Sequence, residues 1–180
     1  MESTIENVAD FIKRYKSFAN ITFKLGKYTD EFGFENHLFH KEKYESILNL
    51  LNSNPNWENK KENYHEKFDK CPFKIVDTIT YKIKNSPYDL IVTAESKKYQ
   101  DIYNSDDYIK KEITFLRKCH AFQLGYEYSI SQGHIYSFKI NLHTNSNTDT
   151  YNSHSSLLKI IDIVKVIDEC KTNDYSFEKL

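Results

Sequence analysis

A two-residue rhythm constrains this chain most. From His134 to Leu142, Ile135, Ser137, Lys139 and Asn141 alternate with Tyr136, Phe138, Ile140 and Leu142. Successive side chains of a strand leave opposite faces, so such a segment reads as a strand with one face buried. The rhythm also fills Asn20–Leu25, where Ile21, Phe23 and Leu25 oppose Asn20, Thr22 and Lys24, and it fills Phe73–Ile83. Asn85-Ser86-Pro87 turns the chain and Tyr88–Ala94 returns as a hairpin partner. Further strands are predicted over Tyr108–Phe115 and Ala121–Ser131, with Gln132-Gly133 turning the second into the His134 strand.

Helical spacing appears in three places. Ser3-Thr4-Ile5-Glu6 has the form of a capping box, and Ile5, Val8, Phe11, Ile12 and Tyr15 mark one face of a helix over 3–16. Phe39, Tyr44, Ile47, Leu48 and Leu51 mark a second, with Trp57 as a packing anchor beyond it. Leu157–Ile167 repeats two apolar residues and one polar, which predicts a helix within 155–170. Its β-branched content leaves a strand open as the alternative. Asn145–Ser156 reads as a polar loop, as does Tyr99–Asp107. The expected fold class is α+β: an antiparallel curled sheet or β-barrel over 18–143 with flanking helices.

Composition removes several classes. One hundred and eighty residues with 4 glycines and 3 prolines read as one domain, 1–180, without linkers. A net charge of -1 provides no global field toward nucleic acid or membrane. No apolar run reaches the roughly 20 residues of a membrane helix. Cys71, Cys119 and Cys170 fit neither a zinc spacing nor a disulfide framework and are expected as reduced, buried thiols in a cytoplasmic protein. Cys119 and His120 adjoin on a strand and therefore face opposite sides, so they cannot pair as nucleophile and base. Lys110, Lys111, Arg117 and Lys118, interleaved with Phe115 and Phe122, form the densest basic cluster, read as a solvated strand face or a nucleic-acid patch.

The stretch from Asn20 to Trp57, a strand ending in Lys24-Leu25-Gly26, a polar turn, a leucine-rich helix and a tryptophan, resembles the opening of the triphosphate-tunnel family. Those proteins are metal-dependent RNA 5′-triphosphatases of viral and fungal mRNA capping, whose first strand carries Glu-x-Glu-x-Arg/Lys-x-Gly. Lys24 and Gly26 match that pattern, while Asn20 and Thr22 stand at the two metal-binding acids. Tyr108-Ile109-Lys110-Lys111 resembles the family's lysine-bearing strand. Tyr126–Gln132 resembles its Arg/Ser-x-Ser/Glu strand with Glu127 at the basic position.

The resemblance implies a barrel lined with charge, in which Lys24, Lys110 and Lys111 contact phosphate. Catalytic residues remain unassigned and no metal ligand set is present. Asn and Thr bring no charge to offset Mg²⁺ or Mn²⁺, so the expectation is a non-catalytic binding or scaffold subunit linked to RNA synthesis or capping. Its expected partners are an RNA 5′ end, a nucleoside triphosphate or a protein of the transcription or capping machinery. The Asn-, Lys- and Ile-rich composition is that of an AT-rich genome such as a large DNA virus. One alternative is an active Mg²⁺- or Mn²⁺-dependent triphosphatase with displaced acids among Glu95, Glu112, Glu127 and Glu178. Another is an unrelated α+β interaction module.

Overall fold

A computed structural model describes residues 1–38, 40–65, 73–97, 108–130, 133–143, 148–168 and 174–180. Its organising strand is β1 (Asn20–Thr29), which pairs antiparallel with β5 (Asp89–Lys97) on one side and β8 (Gly133–Leu142) on the other. Register sets Ile21 beside Leu142 and Ala94, and Phe23 beside Ile140 and Val92, so the apolar positions of three strands share one face. Lys24 is flanked by Lys139 and Ile91 on the other.

The sheet extends outward through β7 (His120–Ser129), β6 (Tyr108–Leu116) and β3 (Asn59–His65), and on the other flank through β4 (Phe73–Ile83) and β9 (Phe177–Lys179). A short strand, β2 (Gly33–Glu35), folds back onto the end of β1. Among the described residues every pairing is antiparallel, and no ladder joins β3 to β9. The expected curled sheet is therefore present, as an open hydrogen-bonded path.

Helices α1 (Glu2–Tyr15), α2 (Lys41–Ser53) and α3 (Asp149–Ile167) cover the apolar face. Phe23, Leu25, Phe115, Leu124, Phe138 and Ile140 are all fully buried against them. Leu157, Ile160, Ile163, Val164 and Ile167 of α3 are buried too, and α3 touches α1, α2, β1 and β8. The helix over 157–167 thus prevails over the strand alternative. Burial of that face on several sides outweighs the modest helix penalty of β-branched residues.

Two local expectations are corrected. Ser3 does not cap α1, because the helix begins one residue earlier, with Met1 at the cap position. The polar segment before Leu157 is largely helix: Thr148 caps α3 by accepting from the Tyr151 amide at 3.1 Å. Its first turns carry Ser153, whose hydroxyl donates to the Ile5 carbonyl and ties α3 to α1. The segment Tyr99–Asp107, Phe39, Gln132, Cys71 and Cys170 lie outside the described residues. Cys119 is buried and forms no disulfide among the described residues.

Trp57 anchors as expected. Its indole N–H donates to the Leu51 carbonyl at the end of α2, and its ring meets Phe115 and Phe122 at 5.4 and 5.2 Å. Gly26 has a steric role, since a Cβ there would lie 2.0 Å from the Glu35 carbonyl oxygen of the folded-back β2.

His120 is buried between sheet and helix, its Nε2 3.0 Å from the Ser156 hydroxyl. Burial, reinforced by the nearby positive charges of Lys159, His143 and Arg117, pushes its pKa down to about 4. Above the ordinary histidine value of about 6.5 it is neutral folded and unfolded, and contributes nothing to pH dependence. Between that value and about 4 the unfolded chain takes up a proton that the folded chain refuses. Stability should therefore fall across this window as pH drops, by roughly 3 kcal/mol in full. Urea unfolding at a series of pH values checks this: His120→Gln should flatten the slope between pH ~6.5 and ~4.

Candidate functional site

The second face of the sheet is polar, and register decides what it carries. Lys24 of β1 sits beside Lys139 of β8, which sits beside Gln123 of β7. Ser137, Gly125 and Glu112 form the next row, and Ile135, Glu127 and Lys110 the row after it. On the other flank Thr22 pairs with Thr93, and Asn20 with Glu95. The curled sheet thus collects lysines and glutamates from β1, β5, β6, β7 and β8 on its inner side.

Most of these charges are paired. The Lys24 ammonium donates to Glu95, whose same oxygen accepts from the Thr93 hydroxyl at 3.0 Å. Lys110 lies 2.9 Å from Glu112 and 3.9 Å from Glu127. Lys139 makes no ion pair among the described residues, and burial together with the neighbouring charge of Lys24 lowers its pKa. The two positions that the sequence resemblance set against acids are also placed: Thr22 is almost fully buried and donates to Asn141 Oδ1 at 3.0 Å, while Asn20 is exposed at the strand's start.

Asn36, Gln123, Gly125, Ser137 and the charged groups around Lys139 line a recess of about 70 Å³. That is room for about two waters. A Cβ at Gly125 would lie 2.5 Å from the Ser137 hydroxyl, so the glycine is what keeps this row open. A wider opening of about 740 Å³, where the start of β1 meets the end of α1, reaches Glu95 from the rim.

Of the three lysines assigned to phosphate from the sequence, the structure brings Lys24 and Lys110 to the inner face. Lys111 lies on the opposite face, in register with Tyr64 and Tyr126, because one residue along a strand reverses the side chain. Lys139, which sequence reading left unassigned, is the third lysine on that face. Its position in the alternating run His134–Leu142 was the available signal, since it shares a face with Ser137 and Asn141. The basic cluster of Lys110, Lys111, Arg117 and Lys118 is dispersed for the same reason: Lys110 points inward, Lys111 outward, and Arg117 lies at the β6–β7 turn over the Trp57 ring. Glu95, Glu112 and Glu127 all face inward, whereas Glu178 sits on the edge strand β9 across from Lys82.

Mg²⁺ or Mn²⁺ would need several converging oxygen ligands. Among the described residues no group of three or more His, Cys, Asp or Glu side chains is placed to hold an ion, and each inward glutamate is engaged by a lysine. The described residues therefore do not fit the metal that the sequence resemblance implies.

The fold defined here is the triphosphate-tunnel type, an inward-charged curled antiparallel sheet backed by helices. Among solved structures, the Schizosaccharomyces pombe Pct1 RNA triphosphatase is similar with a TM-score of 0.64 at 9% identity, over 91% of this chain and 93% of that one. The same S. pombe enzyme in complex with the Spt5 CTD gives 0.61 at 8% identity, over 91% and 92%. No protein-family profile and no curated protein sequence matches the chain. Among the described residues no helix is long and apolar enough to cross a membrane.

Facing decides a mutational contrast. Lys110→Met leaves Glu112 and Glu127 without their nearest cation in a half-buried setting. It should destabilise the protein by about 1 kcal/mol after solvent screening. Lys111→Met on the outer face should stay within about 0.5 kcal/mol of wild type in the same urea titration.

Proposed function

We propose that this protein is a tunnel-fold binding or scaffold subunit without triphosphatase activity, acting in the cytoplasm beside RNA synthesis or mRNA capping. The observation that carries the reading is charge balance on the inner face. Lys24 is matched by Glu95 and Lys110 by Glu112 and Glu127, while Asn20 and Thr22 occupy the positions of the metal-binding acids. Carboxylates tied to ammonium groups are poor ligands for a hard divalent cation, and lysines tied to carboxylates attract phosphate weakly. A recess of about 70 Å³ is too small for a triphosphate chain without side-chain movement.

Residual phosphate affinity in this reading falls to Lys24, Lys110 and Lys139, of which Lys139 has no ion-pair partner among the described residues. The ligand would be the terminal phosphate of an RNA 5′ end or a nucleoside triphosphate. A protein partner from the transcription machinery is supported by the likeness to an RNA triphosphatase seen with the Spt5 CTD.

One observation favours the alternative of an active triphosphatase: Glu95, Glu112 and Glu127 do share the inner face. Phosphate release from triphosphate-ended RNA and from ATP, with Mg²⁺ or Mn²⁺, separates the two readings. The expected result is no release above the buffer blank. Turnover that disappears in both Glu95→Gln and Glu112→Gln would overturn the non-catalytic reading and select displaced metal ligands.

A further inference from the structure

On the outer side of the molecule, away from the channel, the end of α2, the middle of α3 and the β6–β7 turn enclose a groove of about 480 Å³. Its floor is apolar, built from Leu51, Phe122, Ile163 and Val166, with Leu50 exposed at its edge. Its charge comes from Arg117 and Lys159 against the single carboxylate of Asp162. Among the described residues neither cation makes a salt bridge. The Arg117 guanidinium lies over Trp57, 4.6 Å from the ring centroid, and Lys159 donates only to the Ser155 hydroxyl at 2.8 Å. Their mutual repulsion adds to burial in lowering the Lys159 pKa, so the two charges already act on one another.

We propose that this groove binds an acidic amphipathic segment of a partner protein, its apolar side chains on Leu50 and Val166 and its carboxylates on Arg117 and Lys159. Charge complementarity selects the occupant. Two unpaired cations above an apolar floor fit a ligand that presents apolar and anionic groups together. A nucleic-acid base finds no free aromatic face here, because Arg117 covers Trp57 and its ring also packs on Phe115 and Phe122. Lys159, Ile163 and Val166 follow helical spacing along α3, a rigid strip about 10 Å long that matches two turns of a docked helix. The site lies on the helix-covered face, so it stands whether or not the channel hydrolyses phosphate.

The chain's single tryptophan lines the groove and reports on it directly. The full-length protein is titrated with a synthetic helical peptide about 12 residues long, with Leu at i, i+3 and i+7 and Glu between them. A matched peptide with Lys for Glu and a single-stranded oligothymidylate serve as the other arms. The Glu peptide should give a saturable change in Trp57 emission. Its dissociation constant should rise about tenfold or more in the Arg117→Gln/Lys159→Gln double variant, and rise also with added salt. Far-UV circular dichroism checks that the variant is folded; should it not be, the salt dependence of the wild type decides. Four results would overturn the proposal: no saturable change, an equal response to the Lys peptide, a response to the oligonucleotide alone, or binding indifferent to salt and to both substitutions.

Discussion

A strand can hide only one of its two faces, and the pairing register of β1 decides which face every neighbour hides. With Ile21, Phe23 and Leu25 against the helices, hydrogen bonding to β5 and β8 forces Val92, Ala94, Ile140 and Leu142 to the same side. The polar alternates then have nowhere to go but the concave side. A slip of one residue would send Lys24 and Lys139 into the hydrocarbon core, at a cost no nearby group could offset. Gly26 holds that register at its end, where β2 folds back too closely for any side chain.

The concave side therefore inherits charge as a by-product of core formation, and its function depends on how the charges are balanced. In this chain all but Lys139 are paired internally among the described residues. Glu95 is shared by Lys24 and Thr93, and Glu112 and Glu127 share Lys110. Ion pairs formed within the protein compete with any external cation or phosphate for the same groups. Thr22, nearly inaccessible and bonded to Asn141, adds a neutral link where a carboxylate would create an excess of negative charge. The outer surface shows the opposite condition. Arg117 and Lys159 keep their charge unmatched above an apolar floor, so the unspent electrostatic attraction of the molecule lies partly outside the channel.

Much of the architecture was legible in the chain. The strands over 73–83, 88–94 and 134–142 follow from alternation, and the helices from three- and four-residue spacing. Legibility failed where local and tertiary preferences diverge. The segment before Leu157 is rich in Asn, Ser and Thr, which favour loops in isolation, yet Asn152, Ser153 and Ser156 are buried in α3. Their small side chains fit a crowded helix contact, and Ser153 and Ser156 find partners in Ile5 and His120. In the candidate site, Lys110 and Lys111 looked equivalent along the chain, but adjacent residues of a strand cannot share a lumen.

What the sequence determined by itself was the division into an apolar and a polar set, because period-2 and helical spacing are properties of one segment and its own backbone. It also determined that the polar positions at the start of the first strand, Asn20 and Thr22, are neutral. Only the tertiary structure decided that Lys139 completes the inner cluster, that each inward glutamate meets a lysine, and that Arg117 and Lys159 converge from distant parts of the chain. Ion pairing falls off within a few ångströms, and distances on that scale between remote residues are set by strand register and helix docking rather than by sequence separation.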